Sequence, residues 1–273
     1  PAFLRQGKGL SQGSRILVQV SGFAEIGKAI PVSRKILLKS RYVIITPENP
    51  GLNISRQIKN EERREELIAL IRLNFKDFKE GMILRSSCKN AVDKDILDDA
   101  EEMLNLADKI FSDESREEQL ILESDKPHAL AWREWSEDAV VFSENGSFEI
   151  HGVLDLLEEL KSERVETSDG HFFIETTRAC TTVDINTGSD TSPAAALKAN
   201  LATARDLPRQ LRLRGIGGQI ILDPAPISKK DRKIFDTALR TAFRKDSVET
   251  NIVGWTAMGL IEIQRARVRS SWK

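Results

Sequence analysis

The 273-residue sequence contains only two cysteines, Cys88 and Cys180, and they lie far apart. Two thiols cannot complete a four-cysteine zinc site within one chain. Both are expected to be reduced and buried, as in a cytoplasmic protein. Histidine is equally scarce: His128, His151 and His171 show no ligand spacing, so a structural role is expected for each. No apolar run approaches the ~20 residues that a transmembrane helix needs, which excludes such a span, and no secretory leader is visible. Internal repeats and low-complexity tracts are missing too, which excludes a repeat array.

The near-absence of net charge, −1 overall, conceals a partition. Residues 1–90 carry 17 basic and 8 acidic side chains, residues 91–169 carry 7 and 24, and residues 170–273 carry 17 and 10. Two basic blocks therefore flank an acidic one. Basic blocks suit a phosphate backbone, with binding that weakens in salt. The acidic block is expected to face away from such a ligand or to pair with a basic surface, although charge runs also serve simply as solvated faces.

What stands out is Thr182-Val183-Asp184-Ile185-Asn186, read with Ile220-Ile221-Leu222-Asp223. Each places one aspartate within or at the end of a β-branched, aliphatic run that reads as a buried strand. A carboxylate there is costly unless it is paired or binds a metal, and hard cations such as Mg²⁺ are held by one or two carboxylates plus waters and phosphates. The alternative is that each aspartate caps a helix or forms a turn. Between them, Leu197, Leu201, Ala204 and Leu207 recur at helical spacing, with Arg205, Arg209, Arg212 and Arg214 forming a basic stripe. Pro208 is expected to kink or restart this helix, and Gly215, Gly217 and Gly218 to end it.

Elsewhere the pattern is mixed, giving an α+β class. Extended segments are expected at residues 13–20, 28–32, 41–47 and 81–87, and helices at 61–73 and 93–111. In the acidic block a further helix is expected near 116–123. A strand over 139–142 is expected to turn at Asn145-Gly146 and return over 147–150, before a short helix over 152–160. Trp132 and Trp135 are expected in the core.

Residues 170–269 resemble the catalytic domain of the ribonuclease E/G family. The similarity is carried by Ile174-Glu175, Thr182 to Asn186, Asn200-Leu201, Arg209 to Arg214, Gly217-Gly218, Ile220 to Asp223, Gly259 to Glu262, Arg265 and Arg267, in matching order and spacing. The first half is similar more weakly. The resemblance implies a partial OB-type RNA-binding module at residues 1–48 and a small α/β 5′-phosphate sensor-like region at 49–112. It further implies an acidic RNase H-like segment at 113–168 and a DNase I-like catalytic domain at 169–273. It implies an endoribonuclease that hydrolyses single-stranded RNA, with Asp184, Asn186 and Asp223 catalytic. Asp184 and Asp223 would hold Mg²⁺, and Asn186 would orient one of them or the attacking water. Phe3, Arg56, Arg85, Ser86, Arg209, Arg212 and Arg214 would contact RNA. Arg85 and Ser86 correspond to a pocket for a 5′-monophosphate, which a guanidinium and a hydroxyl suit; a surface salt bridge is the other reading of Arg85, and core or a chain end the other reading of Phe3. A homo-oligomer stays open, a zinc-linked dimer is not expected, and a non-catalytic RNA-binding relative is the alternative function.

The sequence also departs from the family pattern. Beginning at Pro1, it reads as entering the OB-type module partway. Pro226 stands where the family has an acid three positions beyond the second aspartate. Ala257, in Thr256-Ala257-Met258-Gly259, replaces a family arginine, and Glu249 lies near a basic position of the larger members.

Overall fold

The computed structural model describes every residue except 5, 6, 8, 25, 26, 77, 113–117, 136–138, 272 and 273. The fold is mixed α+β, with three sheets and seven α-helices among the described residues. The chain divides into two units, Pro1–Ser21 with Pro31–Val141, and Gly22–Ile30 with Phe142–Lys273.

Strands β1 (Ala2–Leu4), β2 (Gln19–Val20) and β3 (Ile30–Ser33) form a small sheet in the order β1-β3-β2. A second sheet, in the order β4-β5-β7-β6, combines β4 (Leu38–Lys39), β5 (Val43–Thr46), β6 (Gly51–Ile54) and β7 (Gly81–Leu84). Strands β6 and β7 are parallel, so the chain between them must cross over. It does so through α1 (Glu61–Asn74), started by Asn60, whose side chain accepts from the Arg63 backbone N–H at 2.9 Å. In α2 (Asp93–Phe111) the buried stripe Ile96, Ala100, Met103, Ala107 and Ile110 follows the helical period. It joins Val43, Ile45, Leu67, Ile71, Met82 and Leu84 in one core. Cys88 is buried there, its thiol pushed up to about 12 by desolvation.

The second unit is built on a six-stranded sheet in the order β12-β13-β11-β10-β9-β8. Its strands are β8 (Arg164–Thr167), β9 (Gly170–Thr176), β10 (Thr181–Asn186), β11 (Gly218–Asp223), β12 (Thr250–Trp255) and β13 (Ile261–Arg265). Because β8 hydrogen-bonds to β9, the sheet starts inside the stretch assigned from sequence to the acidic segment. β10 and β11 are parallel, and the other pairings are antiparallel. Helices α6 (Pro193–Leu213) and α7 (Lys229–Lys245) share the core of this sheet with Phe172, Val183, Ile185, Ile220, Leu222, Ile261 and Ile263. Along each strand these apolar residues alternate with half-buried or exposed ones, so the sheet has a helix-covered face and an open face.

Several expectations are corrected. α6 passes through Pro208 as one helix. The proline ring is buried in a helix with ten buried residues, and that packing outweighs the roughly 3 kcal/mol cost of an interior proline. Residues 118–123 form no helix, and 116 and 117 lie outside the described residues. Leu120, Ile121 and Leu122 are exposed, so no buried face offsets the cost of nucleating a turn. No strand forms over 139–142, where Val140, Val141 and Phe142 are exposed, and residue 138 is not described. Gly146, at φ 83°, caps a helical turn, α4 (Ser147–Ile150), instead of a hairpin, and α5 (Val153–Glu159) follows. Trp132 and Trp135, at the end of α3 (Pro127–Glu134), are exposed rather than core. Cys180 is only half-buried, in the β9–β10 turn.

One ionic cluster closes the far end of the second unit. The Asp246 side chain is 1 % exposed, pairs with Arg212, and lies 2.7 Å from Arg265 Nη2, itself 1 % exposed. The Arg265 contact is too poorly aligned to count as a hydrogen bond, but Arg265 Nη1 donates to Thr250 Oγ1 at 2.8 Å. Removing one member of such a group leaves a buried charge without its partner. Asp246→Ala is therefore expected to destabilise the chain by about 3–5 kcal/mol in urea unfolding, and a loss under 1 kcal/mol would show that the cluster is not a structural tie.

Candidate functional site

Parallel pairing of β10 and β11 puts Asp184 directly beside Asp223, as Cα partners in register. Both are exposed, because each occupies an outward position between buried residues, Val183 and Ile185 on β10 and Leu222 on β11. The strands are buried on one face as expected, and what is corrected is the premise that the carboxylates are buried with them. They stand on the open face at the carboxyl ends of the strands, where water lowers the cost of their charge.

Asn186, two residues on and on the same face, donates from Nδ2 to Asp184 Oδ2 at 2.9 Å. That bond fixes one carboxylate oxygen and leaves the other for a ligand. Beside it, β9 comes very close: a Cβ at Gly170, where φ is 152°, would lie 2.4 Å from the Asn186 carbonyl oxygen. Glycine is required there because any side chain would push the two strands apart. His171, registered opposite Asn186, meets Phe173 edge-on at 5.5 Å.

Burial first, and the neighbouring Asp184 charge second, raise the Asp223 pKa above the ordinary carboxylate range. Two hard oxygen donors that repel each other on an open face fit a hydrated divalent cation, which keeps several water ligands and needs only one or two carboxylates. They do not form a complete protein cage, since no three His, Cys, Asp or Glu side chains gather to hold an ion among the described residues.

Sequence reasoning gave no role to Asn200. This fully buried side chain on α6 clamps the Ala225 backbone, accepting from its N–H and donating to its carbonyl, both at 3.0 Å. Ala225 lies two residues past Asp223, so one amide ties the crossover helix to the chain leaving the second aspartate. An asparagine amid the alanines of this helix was the available signal.

The arginines of α6 do not join the aspartates. A parallel crossover carries α6 away from the Asp184 end, and its 21 residues span roughly 30 Å. Arg212 is engaged with Asp246. Arg214 is buried and donates to Gln210 and to the Ser162 carbonyl. Arg209 lies 3.6 Å from Asp206. The basic stripe was legible in the sequence, whereas its distance from the aspartates was not.

In the first unit, Phe3 is exposed on β1 and Arg56 is exposed between β6 and α1. Ser86 begins the helical turn that follows Arg85. Arg85 is occupied: Nη1 donates to the Ser40 carbonyl and, at 3.1 Å, to the Arg133 carbonyl, and Nη2 reaches Glu134 Oε2 at 2.7 Å. Burial works to raise the Glu134 pKa, but the hydrogen bond from Arg133 and the charge of Arg85 lower it on balance. Arg41 stacks on Trp132, its guanidinium carbon 4.0 Å from the ring centroid, and donates to the Trp135 carbonyl at 2.9 Å. Together these contacts fasten α3 over Arg85 and Arg41.

The second unit thus carries paired carboxylates at the carboxyl ends of adjacent parallel strands joined through a crossover helix, within an otherwise antiparallel sheet. The ribonuclease E/G family matches residues 37–141 and 134–268, and the chain belongs to that family. Ribonuclease G of Haemophilus influenzae is 28 % identical over 95 % of this chain and 61 % of its own length. Ribonuclease G of Escherichia coli K12 is 26 % identical over the same shares. Ribonuclease E of Nostoc sp. is 27 % identical over 94 % of this chain and 44 % of its own length. The chain thus spans between 44 % and 61 % of the length of these relatives.

A raised Asp223 pKa means that the folded state holds that proton more tightly than the unfolded state. Stability contributed by this site is therefore lost as pH rises from the ordinary carboxylate value through the folded one. Asp223→Asn is expected to abolish that component and to raise the melting temperature of the metal-free chain at neutral pH. Thermal scans of both proteins from pH 4 to pH 8 test this; parallel curves would show that Asp223 holds its proton no more tightly in the folded chain than in the unfolded one.

Proposed function

We propose that this chain is the catalytic core of a Mg²⁺-dependent endoribonuclease that hydrolyses single-stranded RNA in RNA processing or decay. The carrying observation is the in-register Asp184–Asp223 pair with Asn186 bonded to Asp184. Family membership supports the reaction class. When bound, Mg²⁺ supplies charge neutralisation and polarises a phosphoryl oxygen. Asp184 and Asp223 hold it with their carboxylates. Asn186 fixes the Asp184 oxygen that it bonds, and so sets the direction of the other. Asn200 holds the chain beyond Asp223 and thereby the spacing of the pair. In hydrolysis a water oxygen bonds to phosphorus and the bond from phosphorus to the 3′-oxygen breaks, leaving 5′-phosphate and 3′-hydroxyl ends. We place the reaction in the cytoplasm, where free thiols such as Cys88 and Cys180 persist.

Arg85 and Ser86 give this reading its preference for 5′-monophosphate ends. A phosphate oxygen would take the bond that Glu134 now makes to Arg85 Nη2, so the phosphate must displace that carboxylate. Glu134→Gln is expected to raise the ratio of cleavage of 5′-monophosphorylated over 5′-hydroxyl RNA by about 10-fold, the scale of one charge-assisted bond. Arg85→Ala is expected to erase the ratio, and a ratio that moves in neither variant removes the pocket.

Asp184→Asn separates catalysis from binding. Disturbing a group that merely supports a metal ligand costs 10–100-fold, so loss of a ligand should cost about 100-fold or more. Cleavage of an A/U-rich single strand should fall by that factor, and EDTA should do the same to the wild type, while RNA affinity in EDTA stays within about 2-fold. Unchanged turnover in Asp184→Asn would remove the metal site. RNA binding without cleavage by the wild type would leave a non-catalytic RNA-binding protein.

A further inference from the structure

Among the arginines of the second unit with no acid or hydrogen-bond partner among the described residues, Arg232 is half-buried, whereas Arg178, Arg205, Arg244 and Arg269 are exposed. Arg212 and Arg265 meet Asp246, Arg240 meets Asp236, and Arg164 meets Glu166. Arg232 has no carboxylate or hydrogen-bond partner among the described residues, and its Nε is buried without one. Its guanidinium is nevertheless held in place. It stacks on Trp255, its carbon 4.6 Å from the ring centroid, and Trp255 in turn packs edge-on against Phe235 at 6.4 Å. Its Nη2 lies against the β12–β13 turn, 3.4 Å from where a Cβ of Gly259 would stand, at a residue whose φ of +90° already favours glycine. The nearest acid along the helix, Asp231, is occupied by Ser228, which donates from Oγ at 2.6 Å.

Its place in the fold gives this cation a use. Trp255 is the Cα partner of Ile261, and Ile261 of Leu222. Leu222 precedes Asp223, so Trp255 closes its strand one row below the aspartate pair at the same edge of the sheet, but like Ile261 and Leu222 it faces the helix-covered side, across that edge from the open face of the aspartates. Two strand spacings, about 10 Å, separate the strand of Trp255 from that of Asp223. A planar, pre-ordered guanidinium without a counter-ion is suited to a phosphate, which it can meet through two parallel N–H bonds. The exposed lysines Lys229 and Lys230, one turn earlier on α7, add positive potential without competing for the ligand.

We infer that Arg232, ordered by Trp255 and the Gly259 turn, binds a phosphodiester of the RNA strand where that strand passes over the carboxyl edge of this sheet, beyond the stretch that meets Asp184 and Asp223. The inference rests on the RNA reading above and adds to it a cation that the sequence pattern did not mark. It also supplies positive charge beside the turn in which Ala257 stands.

The test is binding of a fluorescently labelled single-stranded RNA, followed by anisotropy in EDTA over a series of salt concentrations. Arg232→Met keeps the stem against Trp255 and removes the charge. It is expected to weaken binding about 10-fold, the loss of a charge-assisted contact, and to reduce the slope of log affinity against log salt by about 0.7, one phosphate on a single strand. Arg232→Lys is expected to keep the slope while losing part of the affinity, because it retains charge but not the planar fork. Should Arg232→Met not fold, Arg232→Gln is read in its place. Wild-type affinity and slope in the folded neutral variant would make Arg232 a packing residue and overturn the inference, leaving the RNA reading intact. A wild-type chain that binds no RNA overturns both.

Discussion

Two negative charges held next to each other by backbone hydrogen bonds are the constraint around which the second unit is arranged. Asp184 and Asp223 are Cα partners on parallel strands, and like charges so placed repel. The sheet can impose this because neighbouring rows of Val183, Ile185, Ile220 and Leu222 are buried in one core with α6 and α7. Burial of that apolar area, worth roughly 25 cal/mol per Å², fixes the register, and a slip by one residue would turn every core side chain outward. The repulsion is a local cost that the packing holds in place. The same geometry recommends the pair to a cation.

A second pattern is the division of labour among arginines. Those at the far end of α6 and on β13 neutralise a buried carboxylate and fasten the fold. Arg63 and Arg64 tie α1 to neighbouring carbonyls of the first unit. Arg85 and Arg41 are fastened to α3 by carbonyls, a carboxylate and a tryptophan ring. A basic composition therefore overstates the charge available to a phosphate chain, and partner geometry decides which cations remain usable.

Strand periodicity made Asp184 and Asp223 legible, because one polar residue in an aliphatic run is a strong local signal. Their exposure was not legible: outward and buried strand ends read alike until the partner strands are known. The α2 stripe could be read from spacing alone, since Ile96, Ala100, Met103 and Ala107 repeat with the helix. The Arg209 to Arg214 stripe was equally visible, yet its distance from the aspartates depends on the direction of the crossover, a tertiary fact. Asn145-Gly146 misled because a hairpin needs a partner strand as well as a turn, and Val140 and Val141 have no such neighbour among the described residues. Pro208 misled for the opposite reason, since packing in the buried middle of α6 outweighs a local rule. Asn200 stood out only as an asparagine amid alanines and Arg232 not at all, because the role of each is defined by what it meets across the fold.

The Asn200 clamp bears on how such a site can come into being during synthesis. Asp184 leaves the ribosome 39 residues ahead of Asp223, and for that interval the chain holds one carboxylate with no neighbour. The pair exists only once α6 has formed, β11 has paired alongside β10, and the amide has closed on Ala225. No shorter piece of chain contains the arrangement, and no partly folded intermediate that lacks the crossover can display it. Pairing of β11 beside β10 is thus the event that creates the charge pair, so a nascent chain that has not yet reached Asp223 cannot display it.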